Sequence, residues 1–273
     1  MSKRKIVDRR GVCKLCKNEV NDLQDSHIIP KLLYRFMRRH QDSAKDINGL
    51  LSINSEIQKL DVTQRQWKKL IFCKSCEGIL SKNETKFARI LHDVNSMPLE
   101  RRSKESFTTN IKGVPIPKGY SLVEIINAYK NNYFDYGVTE DLKYFAASYV
   151  LRQIYLIDHQ LGDDEISMLE KYILGKGSGD FSLLVALNSG ESFKCVCSSI
   201  PVDMKKDFKH YNFILPEMWF HLIFDINKKW REHHVHILPN DFGRNNVLQF
   251  LLQSAIGDVV ISEKAKKALQ HKI

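Results

Sequence analysis

Two pairs of cysteines, Cys13-Lys-Leu-Cys16 and Cys73-Lys-Ser-Cys76, carry the first chemical possibility in this sequence. A C-x2-C turn places two thiolates on one side of a tight knuckle, and two such knuckles supply the four soft ligands of a tetrahedral structural Zn2+ site. A redox motif would instead be a single pair beside a βαβ pattern, whereas both pairs here lie among lysines: Lys14, Lys17 and Lys74. The 56 residues between the knuckles are long for a simple zinc ribbon, so a functional insertion is expected there. That insertion contains Asp25-Ser26-His27-Ile28-Ile29-Pro30, and imidazole is the side chain that titrates near neutral pH. Beyond the second knuckle, Glu77 and Glu84 stand two helical turns apart, so both carboxylates fall on nearly one face and could flank a cation. Two structural explanations compete. Ser81-Lys-Asn-Glu84 fits a capping box, and Glu77 fits a first-turn acid favoured by the helix dipole.

These residues need elements to hold them. Glu19–Ile29 reads as a short hairpin with Asn21-Asp22 at its turn, and Pro30 ends its second arm. On an extended arm Asp25 points to the same side as His27, where it could orient the imidazole. A helix is expected over Pro30–His40, with Leu32, Leu33, Phe36 and Met37 on one side and Lys31, Arg35, Arg38 and Arg39 on the other. Residues 41–66 are polar and read as a loop with a strand at Leu50–Ile53. Trp67–Phe72 leads into the second knuckle. The following helix, about Cys76 to Val94, turns Leu80, Phe87, Leu91 and Val94 inward and Lys82, Lys86 and Arg89 outward.

Charge divides the chain in two. Of its 273 residues, 43% are hydrophobic and 27% charged, which excludes disorder, fibres and collagen. Residues 1–105 hold 23 basic and 13 acidic side chains, while residues 106–273 hold 19 of each, so the whole net charge of +10 belongs to the first stretch. Such a segment suits a polyanion, because phosphate neutralisation releases counterions. No run reaches the roughly 18–20 apolar residues of a membrane helix, and the start lacks a secretory h-region, so a cytoplasmic protein with no membrane partner is expected.

The second part, 106–273, reads as a neutral α+β domain. Helices are expected at Ser121–Asn131, Thr139–Gln160 and Asp163–Leu174, the last stopped by Gly175-Lys-Gly177. A hairpin is expected from Phe181–Leu187 and Ser192–Ile200, further strands at Tyr211–Leu215, Trp219–Ile226 and His233–Leu238, and terminal helices at Asp241–Ser254 and Ser262–His271. Cys195 and Cys197 share one face of a strand and read as core. The histidine-rich His233-His-Val-His236 segment has no flanking cysteine pair and reads as strand alternation, and Trp67, Trp219 and Trp230 read as packing residues.

Taken together, Cys13-x2-Cys16, Asp25-Ser-His27-Ile-Ile-Pro30 and Cys73-x2-Cys76-Glu77 resemble the zinc-containing, four-cysteine branch of the HNH endonucleases, also called His-Me finger or ββα-metal nucleases. The motifs cover residues 13–87 and are similar to those of bacterial HNH-like proteins of unassigned role. A looser likeness extends over Leu142–Arg152 and the helix containing Glu170. The resemblance implies an α+β chain with an N-terminal treble-clef or ββα-metal zinc module, followed by the helical and antiparallel-β domain. It implies that His27 is the general base for phosphodiester hydrolysis, with Asp25, Glu77 and Glu84 as further site residues. A catalytic Mg2+ or Mn2+ would sit near Glu77 and Glu84. Lys31, Arg35, Arg38, Arg39, Lys82, Lys86 and Arg89 would grip the backbone of double-stranded DNA. Bacterial or phage defence, and a homodimer or defence-system partner through residues 106–273, are the implied context. Ser26 stands where the family places Asp or His, and Lys68 where it places Asn. These departures motivate the alternative of a non-catalytic, zinc-stabilised nucleic-acid-binding module.

Overall fold

The structure is a computed structural model, which describes residues 8–39, 50–54, 59–96, 139–157, 162–187, 196, 200–205, 208–225, 235–238 and 260–270. Strands β1 (Gly11–Val12) and β2 (Glu19–Val20) flank the first knuckle and pair antiparallel with each other. The knuckle turns tightly: Cys13 N–H donates to Asn18 O and Lys17 N–H to Cys13 O, which forces Lys17 to φ 63°. That is the left-handed region, uncommon for a residue with a Cβ. The hairpin expected over 19–29 therefore does not form. Closure of the knuckle claims Glu19 and Val20 for β1, and β3 (Leu23–His27) pairs instead with β6 (Lys68–Cys73), the strand that delivers the second knuckle.

Between β3 and β6 come α1 (Lys31–Arg39), β4 (Leu50–Asn54) and β5 (Lys59–Thr63). The polar stretch read as mostly loop thus holds an antiparallel pair, β4 with β5. Its second arm was concealed because it also needs a partner from the far end of the chain: β12 (Val260–Ile261) runs parallel to β5. Ser262 then donates from its N–H to Leu60 O and from Oγ to Asp61 Oδ1. The Ser262 hydroxyl, Lys59 and the Val62 amide hold the Asp61 carboxyl down at about 2.

Helix α2 (Lys74–Ser96) follows β6 without a break. Cys76, Leu80, Phe87, Ile90, Leu91 and Val94 recur at helical spacing and are buried. Since α2 starts at Lys74, Ser81 lies inside it and the capping-box reading of Glu84 is excluded. Helix α3 (Thr139–Ile157) is buried on all sides from Phe145 to Ile154, as suits a central helix. It packs on α2, on α4 (Asp163–Ile173) and on a five-stranded sheet. Helix α4 ends as the glycine run suggests: Gly175, at φ 69°, donates to Tyr172 O and Lys176 donates to Lys171 O, a Schellman closure.

The sheet has the order β11-β7-β10-β9-β8, comprising β7 (Ser182–Leu187), β8 (Ile200–Lys205), β9 (Phe208–Leu215), β10 (Met218–Asp225) and β11 (Val235–Leu238). All neighbours are antiparallel except β11 with β7. β7 pairs with β10 and β11 rather than with the segment at 192–200, of which the structure describes only Val196 and Ile200. A short α5 (Glu263–Gln270) closes the described chain. The expected helices at 121–131 and 241–254, the boundary near residue 105, Cys195, Cys197, Trp230, His233 and His234 all lie outside the described residues. The architecture is α+β, and no helix among the described residues is long and apolar enough to cross a membrane.

One hydrophobic core runs from the knuckles to the sheet. Phe87 of α2 stacks on Phe145 of α3 at 3.6 Å between ring centres, and both rings approach Phe220 of β10. Burial of this ladder couples the two parts energetically. Phe87→Ala is expected to cost about 3–5 kcal/mol. In urea titrations followed by far-UV circular dichroism and by tryptophan fluorescence, both probes should shift to the same lower midpoint.

Candidate functional site

The antiparallel β3–β6 pair sets the geometry of the site. Leu23 lies opposite Cys73 and His27 opposite Lys68, with an irregularity between Gln24 and Asp25 that adjusts the register. Cys73 therefore leaves β6 beside the first knuckle, and Cys76 follows in the first turn of α2. The sulfur atoms of Cys13, Cys16, Cys73 and Cys76 all lie within 4.8 Å of one another, with Cys16 and Cys73 at 3.9 Å. A tetrahedral zinc with Zn–S bonds of about 2.3 Å would set its sulfurs about 3.8 Å apart, so the quartet can hold a metal ion such as zinc.

Burial and the crowding of the sulfurs act on these thiols unequally. Burial opposes ionisation of Cys13, but the amides of Cys16, Cys73 and Leu15 outweigh it and bring the thiol to about 7. Burial and the neighbouring sulfurs push Cys76 well up. Four thiolates cannot crowd this space without a cation among them. Outside the sulfurs, Tyr155 donates its hydroxyl to Lys14 O at 3.0 Å and to Glu170, and Lys17 Nζ reaches Glu170 at 2.5 Å. Helices α3 and α4 thereby brace the first knuckle.

His27 sits half-buried at the end of β3, and its Nε2 lies 2.6 Å from Gln66 Oε1. A carbonyl oxygen only accepts, so Nε2–H donates and Nδ1 keeps the basic lone pair. Burial lowers the imidazole below its ordinary 6.5; the Gln66 bond opposes this, the charges of Lys68 and Lys31 lower it further, and Glu77 opposes again. The ring is thus neutral at physiological pH. Of the α2 carboxylates, Glu77 is the one whose charge acts on the imidazole.

The three acidic candidates have different surroundings. Asp25 is exposed and ion-paired to Lys68 at 3.4 Å, and Gln66, not Asp25, holds the imidazole. Glu84 is ion-paired to Arg152 of α3; burial raises its carboxyl and Arg152 counters the rise. Glu77 Oε1 is shielded from solvent without a hydrogen-bond partner among the described residues. Among those residues the cysteine quartet is the one group of three or more His, Cys, Asp and Glu side chains with converging ligand atoms. Asp25 and Glu84 are thus engaged by cations, whereas Glu77 Oε1 has no such partner among the described residues.

Of the basic candidates, Lys31, Arg35, Arg38 and Arg39 are all exposed on α1, whose Leu33 is buried. Lys82 and Arg89 are exposed on α2, but Lys86 is tied to Asp141 of α3 at 2.8 Å. Trp67, read from sequence as a packing residue, is 36% exposed. Gln66 and Arg152 were not among the expected site residues. Gln66 lies in a polar run without periodicity, and only the β3–β6 pairing reveals its place. Arg152 left a signal, a guanidinium within an otherwise largely apolar helix, which demands a buried partner. Comparison with family models, with curated proteins and with solved structures returns no match to this chain.

Two outcomes follow. Purified protein should contain one zinc per chain by elemental analysis, and Cys76→Ser should abolish it and lower the melting temperature. The histidine carries a pH signature: with its folded pKa below 6.5, the unfolded chain takes up the proton first as pH falls. Its contribution to stability is therefore lost progressively from about pH 6.5 down to the folded value. His27→Gln should flatten that part of the stability–pH curve, and the remaining slope belongs to groups such as buried His221, which is shifted in the same direction.

Proposed function

We propose that the chain is a zinc-containing HNH-type endonuclease that hydrolyses phosphodiester bonds of DNA, with His27 as general base. The observation that carries this reading is an imidazole at the end of β3, oriented by Gln66 and lying opposite Lys68, with the charge of Glu77, on the helix that leaves the second knuckle, acting on it. In this reading β3, β6 and α2 are the ββα-metal module, and the cysteine quartet is its treble-clef zinc site. His27 Nδ1 takes a proton from water as the water oxygen forms a bond to phosphorus and the bond to the leaving oxygen breaks. Gln66 keeps Nε2–H fixed, so Nδ1 is the atom presented to water. Burial keeps the imidazole neutral, aided by the charges of Lys68 and Lys31, which also add positive charge where a phosphate would lie.

A divalent cation such as Mg2+ or Mn2+ would be held by Glu77, whose buried oxygen, without a hydrogen-bond partner among the described residues, is a hard donor of the kind these ions prefer. When bound, it would stabilise negative charge on the phosphate and the leaving oxygen. Arg152 already neutralises Glu84, so Glu84 supports the site rather than ligating the ion. The exposed row Lys31, Arg35, Arg38 and Arg39 would hold duplex DNA by its phosphates. A cytoplasmic role in defence, with a homodimer or a defence-system partner bound through residues 106–273, fits the reading. The alternative, a non-catalytic nucleic-acid-binding module, is favoured by one specific feature: Lys68 faces His27 and engages Asp25, the carboxylate closest to the histidine in sequence.

A plasmid-nicking assay separates the two. The nuclease reading expects nicking with Mg2+ or Mn2+, none with EDTA, and none in His27→Ala while DNA binding persists. Equal behaviour of wild type and His27→Ala would leave only the binding module. In both cases Arg35→Ala, Arg38→Ala and Arg39→Ala together should weaken DNA binding. The slope of its logarithmic salt dependence should flatten by about 0.9 for each phosphate no longer neutralised.

A further inference from the structure

We infer that Arg152, 125 residues beyond His27, is a positioning residue for the histidine, an assignment that rests on the proposed nuclease function. Arg152 Nη1 donates to the carbonyl oxygen of His27 at 3.0 Å, and its Nη2 forms the ion pair with Glu84. The next residue, Gln153, donates from Nε2 to the carbonyl oxygen of Ile28 at 3.3 Å. Two consecutive side chains of α3 thus hold two consecutive carbonyls at the end of β3.

The reason lies in the strand. β6 begins at Lys68, the residue opposite His27, and the last bond across the pair runs from Ile28 N–H to Trp67 O at 2.9 Å. The chain leaves the ladder at the residue whose imidazole must be aimed. Among the described residues no further strand pairs with this end of β3 to receive its carbonyls, and buried carbonyls require donors. Arg152 and Gln153, both almost wholly buried, supply these donors. The guanidinium suits the place because its planar fork reaches two acceptors at once, one on the backbone of β3 and one on α2. Glu84 supplies the countercharge that allows Arg152 to be buried there.

The imidazole is consequently held from two directions. Gln66 fixes its Nε2, and Arg152 fixes the backbone that carries it. Arg152 touches neither water nor phosphate in this scheme; it acts through His27, and through Glu84 it ties β3 to the helix bearing Glu77. The second part of the chain thereby sets the geometry of the site in the first.

Three variants separate positioning from charge balance: Arg152→Met, Glu84→Gln and the double variant, each checked for zinc content and melting temperature. The readouts are the imidazole tautomer of His27 by 1H–15N NMR, assigned with His27→Gln, and the nicking rate of the full chain. Arg152→Met should lose the single Nε2–H signature and nick roughly 10–100-fold more slowly with little change in KM. Glu84→Gln, which keeps the bond to His27 O, should retain the signature. The double variant, free of unpaired buried charge, should regain melting temperature but not the signature or the rate. An unchanged His27 signature in Arg152→Met, or its full return in the double variant, overturns the assignment. If the wild type does not cleave DNA, the nuclease reading fails while the tautomer measurement still decides the role of Arg152.

Discussion

Four sulfurs that must meet within a few ångströms are the constraint on which the rest of the structure depends. Cys13 and Cys16 are brought to Cys73 and Cys76 across more than fifty residues. That meeting fixes the point at which β6 ends and α2 begins. It sets Leu23 opposite Cys73, and hence His27 opposite Lys68 four residues along β3. It also starts α2 so that Glu77 follows immediately after the last cysteine, in the helix's first turn. The sulfur quartet thus sets which side chains lie around the histidine.

Charge is distributed around that frame with little left over. Lys68 engages Asp25, Arg152 engages Glu84, and Gln66 occupies one imidazole nitrogen. Among the described residues this leaves the second imidazole nitrogen and Glu77 Oε1, which has neither a hydrogen bond nor an ion pair. Such a pair is ready for a proton and a cation in the proposed reaction. The neutral second part of the chain is a structural partner in this arrangement: α3 contributes Arg152, Gln153 and Tyr155 to the region of the cysteine quartet and the histidine, and its Phe145 stacks on Phe87.

How far all this was legible in the sequence depended on the range of the signal. The cysteine quartet was legible because ligand type and spacing are local, and α2, α3 and α4 because apolar residues recur at helical period. Strand pairing was harder. The turn at Asn21-Asp22 suggested a hairpin that the knuckle overrides, since Glu19 and Val20 are needed to close the cysteine turn. β5 was hidden because its sequence, Lys-Leu-Asp-Val-Thr, becomes a strand between β4 and a segment two hundred residues away. The same limit applied to the site. His27 and Glu77 belong to recognisable motifs, whereas Gln66 and Arg152 acquire their roles only when the register of β3 and β6 and the packing of α3 bring them to the histidine.

The central claim, that His27 acts as a base on water attacking a phosphodiester, is tested most directly by a single-turnover pH–rate profile of DNA cleavage under saturating Mg2+. The account predicts a rate that rises with deprotonation of one group whose pKa lies below 6.5, and that disappears in His27→Ala. A rate that is the same in His27→Ala, or that rises only with a group titrating far above neutrality, would contradict it.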